Sequence, residues 1–197
     1  LNCAGEYKGN YIIIVNDNQM SIAENHGGIY KNLKLLRETN GKAELNWFKS
    51  MGLDYMYVAE GNNIESLEAA LSKVKDIDHP IIVHINTLKG KGLKYAETDK
   101  ETWHWNNPFN IEDGSPKHPF NGETWAAINS NFLVKKAKEM PEMVVLAAGT
   151  PDGLGLNKEK REMLGNQYVD NGIAEEHTVA MASGIARRGG SAVWGTY

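Results

Sequence analysis

Cysteine is almost absent from this 197-residue chain, with Cys3 its single example. One thiol cannot close an internal disulfide, so a reducing compartment is expected, with Cys3 a small hydrophobe rather than a nucleophile. Long hydrophobic runs are also lacking. Clean runs such as Ile12–Val15 and Met143–Ala148 fall far short of the roughly 20 apolar residues that a membrane-spanning helix needs. Neither sign of charge dominates. Lys and Arg number 21 against 25 Asp and Glu, a net charge of −4, which gives no footprint for nucleic acid or an anionic membrane. With 41 % hydrophobic and 23 % charged residues, disordered, collagenous and coiled-coil chains are excluded. A cytoplasmic globular protein of one large or two small domains is expected.

No initiator Met and no targeting pattern are present. The chain starts at Leu1 and stops at Tyr197, inside the apolar run Ala192–Tyr197. It therefore reads as an internal piece of a longer protein.

Strands and helices alternate along the sequence. Tyr11–Val15 is a short β-branched run that suits a buried strand, followed by a turn-rich segment, Asn16–Gly28. Ala43, Trp47, Phe48 and Met51 recur at helical spacing and predict a helix closed by Gly52. Leu53–Val58 reads as a strand. Asn62 and Glu65 suggest a capping box for a helix whose stripe is Ile64, Leu67, Leu71 and Val74. Ile81–Leu88 is a further buried strand. Residues from about Lys89 to Asn121 show no sustained periodicity and read as a functional loop or linker. The rhythm then resumes. Trp125, Ile128 and Phe132 mark a helix, Met143–Ala148 a strand, Lys158–Leu164 a short helix and Gln167–Val169 a short strand. Ala174–Arg188 is a helix rich in small residues, able to pack closely on a neighbour, and Ala192–Tyr197 a last strand. This order predicts an α/β fold of parallel βαβ units.

Three segments carry residues suited to chemistry. Asn16–Asn25, NDNQMSIAEN, follows a strand, where open α/β sheets place their ligands. The Asn18 amide oxygen and the Met20 carbonyl are hard donors that Mg²⁺ accepts beside a carboxylate and phosphate oxygens; an Asx-rich turn is the other reading. In Lys89–His104, the LKGKG stretch puts Lys89 and Lys91 where a phosphate could meet a point charge, and Gly90 and Gly92 permit close approach. His104 is a proton carrier or a substrate donor on one reading, and a histidine packed between Trp103 and Trp105 on the other. Gly172–His177, GIAEEH, brings a carboxylate to a helix start, either for shared-proton chemistry or for the helix dipole alone. The six histidines show no convincing metal spacing, and no nucleophile elbow is present.

Taken in order, NDNQMSIAEN, YVAEGNNIESLEAAL, HINTLKGKG, WHWNNPF, GTPDGLGL and YVDNGIAEEHTVAMASGIA resemble one family. It is the 1-deoxy-D-xylulose-5-phosphate synthase family, within the thiamine diphosphate enzymes of the transketolase superfamily. The resemblance covers nearly the whole chain and rests chiefly on NDNxMSI and IAExH. It implies two thiamine diphosphate-binding-type parallel-sheet units, both incomplete. Residues 1–107 would be the carboxyl-terminal part of a diphosphate- and Mg²⁺-binding domain, 108–121 a linker, and 122–197 the start of a pyrimidine-binding domain. The family's upstream Gly-Asp-Gly metal motif has no counterpart in the sequence. Glu176 stands where the family commonly has Gln, and Asn62 near its usual His.

Carried onto this sequence, the resemblance implies Asn18 as a side-chain ligand and Met20 as a backbone ligand of Mg²⁺. Ser21, Ile22 and Lys89 would contact the cofactor, Lys89 at its diphosphate. His104 would face the substrate, Tyr197 would line the pocket, and Glu175 would hydrogen-bond the aminopyrimidine ring. The implied reaction joins pyruvate to D-glyceraldehyde 3-phosphate with loss of carbon dioxide, in a homodimer. Another transketolase-like enzyme and a non-catalytic fragment are the alternatives.

Overall fold

The computed structural model describes residues 1–196 of the chain, which divides into two compact units. The first comprises Leu1–Met20 with Glu24–Trp105, and the second Ser21–Ala23 with the chain from Asn106 onward. In the first unit, β1 (Tyr11–Asp17), β2 (Asp54–Val58) and β3 (Pro80–Asn86) form a parallel sheet in the order β1-β3-β2. Because β3 is central it is covered on both faces, and Pro80, Ile81, Ile82, Val83 and His84 are all buried. Proline is tolerated at the first residue of a strand, where Pro80 sits.

Side chains alternate across the sheet, and so do its two cores. Ile82 packs with Leu33, Leu36, Phe48 and Leu53 on one face, joined by Ile13 and Val15. Ile81 and Val83 pack with Val58, Ala70 and Val74 on the other, joined by Ile12 and Ile85. Leu36, Leu53 and Ile82 are fully buried, and each such side chain contributes about 1.5–3 kcal/mol over its exposed state.

The helices of this unit depart most from expectation. α1 (Gly28–Glu38) begins where a turn is predicted, with Leu33 and Leu36 as its buried stripe. It opens on Gly27 with no side-chain cap, so the usual start signal is missing. α2 is short, Trp47–Ser50, and Ala43 lies outside it. The Asn46 side chain starts it by accepting from the Phe48 and Lys49 amides, and Gly52 follows its end with φ +78°. α3 (Ile64–Val74) is capped by Asn63 rather than Asn62, through a 2.7 Å bond from the Ser66 amide. Ile64 and Leu71 are exposed, and the buried positions of the helix are Ala70 and Val74. β3 ends at Asn86, short of Leu88, and the stretch expected to be irregular contains α4 (Lys94–Thr98) and a 3₁₀ turn at Thr102–His104. Cys3 is free and exposed.

At the amino end of the same sheet, the His79 ring bonds Asp78 through Nδ1 (2.9 Å) and Asp54 through Nε2 (2.8 Å). The bonds to Asp78, then to Asp54, hold the imidazolium to higher pH than usual. A raised folded value means that this contribution is complete below about 6.5 and is lost as pH rises through the folded pKa. An NMR titration of His79 is expected to give a midpoint above 6.5, moving back down in Asp54→Asn. A wild-type midpoint at or below that value would contradict the clamp.

In the second unit, α5 (Trp125–Glu139) leads into β4 (Met143–Ala147), then α6 (Lys158–Leu164), β5 (Tyr168–Asp170), α7 (Glu175–Arg187) and β6 (Ser191–Trp194). The strands form a parallel sheet in the order β5-β4-β6. Its core joins Leu133, Val134 and Ala137 to Met143, Val145, Leu154, Leu156 and Leu164. α5 has two apolar faces, and the predicted stripe is the outer one: Trp125, Ile128 and Phe132 are exposed. Among the described residues of α7 only Thr178 is buried, and the small residues Ala180, Ser183, Gly184 and Ala186 are exposed. Among the described residues, no helix is long and apolar enough to cross a membrane.

Candidate functional site

The carboxyl end of β1 is built around a carboxylate. In the sheet register His84 lies opposite Val15 on one side and Tyr57 on the other. Asp17 is two residues beyond Val15 and Tyr55 two before Tyr57, so all three polar side chains share the face of Ile82. His84 Nε2 is 2.9 Å from Asp17 Oδ2, and His84 Nδ1 is 2.7 Å from the Tyr55 hydroxyl. A carboxylate only accepts, so Nε2 carries the proton; in the neutral ring Nδ1 then accepts from Tyr55. The Arg37 guanidinium of α1 donates to the same Oδ2. Asp17 and His84 are buried, 3 % and 0 % exposed at their side chains. Burial alone would push the Asp17 carboxyl up, but the bonds from His84 and Arg37 outweigh it and hold the group below its ordinary range. Burial pushes the Tyr55 hydroxyl up, reinforced by Tyr57 and Asp17.

The chain after Asp17 turns sharply. Asp17 Oδ1 accepts from the Gln19 amide at 3.2 Å, and Asn18 Oδ1 from the Met20 amide at 3.0 Å. Gln19 takes the left-handed conformation, φ +68°, uncommon for a residue with a side chain. Met20 pairs with Glu24 in an isolated antiparallel bridge, and the Asn25 amide bonds the Gln19 carbonyl at 3.0 Å. The turn is thus an Asx turn, and it also presents two neutral hard oxygens, Asn18 Oδ1 and the Met20 carbonyl. An amide oxygen has a second lone pair, so the bond to Met20 leaves Asn18 able to ligate. These donors suit Mg²⁺ that is also held by phosphate oxygens. Among the described residues no cluster of three or more His, Cys, Asp or Glu could hold a metal. Ser21 and Ile22 are half-buried. Beside the turn lies a cleft of about 270 Å³ lined in part by Gln19, Glu24, His26, Lys31, Lys34 and Arg37.

The second candidate segment follows β3. Asn62 Oδ1 accepts from the Leu88 amide at 2.7 Å and so fixes the entry to the LKGKG loop. Gly90 has φ +82°, and a Cβ there would come within 2.6 Å of the Ala96 Cβ. Its glycine is required by packing against α4; at Gly92 a Cβ would meet open space, and the φ of +98° is what favours glycine there. Lys89 is half-buried, and burial lowers its pKa against the opposing pull of Glu101. His104 closes the 3₁₀ turn and is exposed, so it is not packed between aromatics. Trp103 stacks on Tyr95 instead, with centroids 5.4 Å apart, and Trp105 is 73 % exposed.

In the second unit the GIAEEH junction is fastened by two side chains. Asp170 Oδ1 accepts from the Gly149 and Gly172 amides, each at 2.9 Å, tying the loop after β4 to the loop after β5. Thr178 Oγ1 donates to the Ala174 carbonyl and accepts from Asn171. Glu175 is therefore held at the first position of α7, half-buried, with Glu176 beside it in the first turn. Nearby, Thr150 Oγ1 of GTPDG is buried without a hydrogen-bond partner. Tyr197 lies outside the described residues.

Asn18, Met20, Lys89 and His104 are thus carried by the first unit, and Ser21, Ile22 and Glu175 by the second. A family model described as 1-deoxy-D-xylulose-5-phosphate synthase matches residues 1–46 and 37–87. Proteins named 1-deoxy-D-xylulose-5-phosphate synthase align across the chain. One from Clostridium perfringens is 34 % identical over 224 residues, covering 96 % of this chain and 36 % of its own length. One from Listeria monocytogenes is 34 % identical, covering 96 % and 32 %, and one from Trichormus variabilis 31 %, covering 96 % and 36 %. The chain is similar to the 1-deoxy-D-xylulose-5-phosphate synthase family along nearly all of its length. It spans about a third of the length of these curated relatives. Around the candidate site, Asp17, His84, Arg37 and Tyr55 are the clustered residues that sequence reasoning misses. Their signal is a titratable residue, His84, inside the apolar run of a central strand, where a partner is obligatory.

Proposed function

We propose that the chain is part of a thiamine diphosphate- and Mg²⁺-dependent enzyme that joins pyruvate to D-glyceraldehyde 3-phosphate. The products are 1-deoxy-D-xylulose 5-phosphate and carbon dioxide. The observation that carries this reading is the Asp17–Met20 turn, which offers two hard oxygens at the end of a parallel strand in a chain similar to this family. Residues 1–107 serve as the diphosphate- and metal-binding part and 122–197 as the pyrimidine-binding part, with 108–121 between them.

The cofactor, when bound, supplies the nucleophilic carbon and the electron sink that decarboxylation of pyruvate requires. Asn18 and Met20 hold Mg²⁺ through the side-chain and main-chain oxygens, and Ser21 and Ile22 line the cofactor's binding surface. Lys89 meets the diphosphate as a point charge on the loop that Asn62 anchors. Glu175 binds the aminopyrimidine ring and controls a proton at its ring nitrogen. His104 faces the substrate and donates to it. The exposed small residues of α7 are the surface at which a second copy of the chain packs, giving a homodimer.

In the complete protein, Asn18→Ala is expected to raise the Mg²⁺ needed for half-maximal activity by about tenfold or more. An unchanged metal titration would remove Asn18 as a ligand. A donor screen tests the reaction itself: pyruvate should be used, while a ketose phosphate would indicate transketolase chemistry and a lipoyl acceptor a 2-oxo acid dehydrogenase component.

A further inference from the structure

We infer that Arg37, His84 and Asp17 form a positioning device that holds the Asn18–Met20 turn in its ligating shape before any cation arrives. The metal half of this inference rests on the function proposed above; the conformational half does not.

The two oxygens of Asp17 do different work. Oδ2 receives His84 Nε2 and Arg37, while Oδ1 faces the Gln19 amide. With Oδ2 held by groups from β3 and α1, rotation of the carboxylate is blocked and Oδ1 stays aimed at Gln19. Gln19 is left-handed, a conformation that a residue with a side chain keeps only when its surroundings fix it. That backbone reversal sets the direction of the Met20 carbonyl and lets Asn18 Oδ1 reach the Met20 amide. Arg37 also closes the segment on itself. The chain leaves β1 at Asp17, passes through residues 18–27, enters α1, and returns to Asp17 through the Arg37 guanidinium.

Stability alone does not account for the cluster. Apolar side chains of similar volume would fill the same space as well or better, because desolvating charges offsets most of their attraction. Nor does His84 serve only Asp17. Its other nitrogen is tied to Tyr55, which fixes the ring plane and hence the direction of Nε2. The arrangement therefore specifies an orientation, and the group it orients is the turn that carries the candidate ligands.

The test uses the complete protein, free of cofactor and metal for one readout and titrated with Mn²⁺ plus thiamine diphosphate for the other. Deuterium exchange of residues 17–27 is compared with that of Pro80–Asn86 in the wild type, Arg37→Gln and Arg37→Lys. Arg37 lies at the rim, 16 % exposed at its side chain, so its variants disturb folding less than variants of the buried Asp17 and His84. Arg37→Gln should speed exchange in residues 17–27 by about tenfold, leave β3 protected, and raise the Mn²⁺ dissociation constant by about tenfold. Arg37→Lys, which keeps a donor and a charge, should recover part of both. Unchanged exchange in residues 17–27, or faster exchange throughout β3 as well, would overturn the positioning role. Loss of turn protection with an unaltered Mn²⁺ affinity would overturn its link to the metal. If the wild type binds no Mn²⁺, the metal reading fails, and the exchange comparison alone decides whether the cluster positions the turn.

Discussion

Replacing Asp17 with alanine is expected to cost the first unit about 3–5 kcal/mol of stability. The substitution removes the acceptor shared by His84 and Arg37 and leaves a fully buried ring nitrogen and a mostly buried guanidinium without it. Removing one member of a buried charged cluster costs far more than the cluster as a whole contributes, because the remaining groups stay desolvated. Asn at the same position keeps one acceptor oxygen and should cost less. The measurement is the opening free energy of the β3 amides by native-state exchange, since β3 is the central strand that carries His84. A loss below about 1 kcal/mol, the scale of an exposed ion pair, would mean that the cluster is not the buried unit described above.

Glu175→Gln in the complete protein should lower turnover by more than about a hundredfold, or about 2.7 kcal/mol in the barrier, while folding is retained. The side chain sits half-buried at the first position of α7, and the junction before it is held by Asp170 and Thr178. Gln preserves its size. The structural loss is confined to the interaction of one negative charge with the helix start, about 0.3–1 kcal/mol. Turnover and melting temperature therefore separate the two roles. A large drop in turnover with a small change in melting supports the carboxylate as a proton-handling group, and near-normal turnover would remove it from the chemistry.

The parallel sheets were legible in the sequence because their strands are nearly continuous apolar runs between helical stripes. Tyr11–Val15 and Met143–Ala148 lie within a residue or two of β1 and β4, and Lys158–Leu164 coincides with α6. What escaped has identifiable causes. α1 lacks a start signal because Gly27 replaces a capping side chain, although Ile29, Leu33 and Leu36 do fall at helical spacing. Asn62 and Asn63 are adjacent amides with different tasks, one tethering Leu88 and one capping α3, and spacing cannot assign them. In α5, Trp125, Ile128 and Phe132 have the period of a buried stripe yet are exposed in this chain, because Leu133, Val134 and Ala137 supply the inner face. The Asp17 cluster draws one residue from each strand of its sheet and one from α1, and only the register of parallel pairing brings them together. The Asx turn of the neighbouring segment, by contrast, was readable from NDNQM alone, since it is local to five residues.

The central claim is tested most directly by carbon dioxide release from pyruvate by the complete protein, with thiamine diphosphate and Mg²⁺ present. The assay is run with and without glyceraldehyde 3-phosphate. Release that depends on the aldehyde and yields 1-deoxy-D-xylulose 5-phosphate is the expected result. No release from pyruvate under either condition would contradict the proposed reaction and direct the search to other donors.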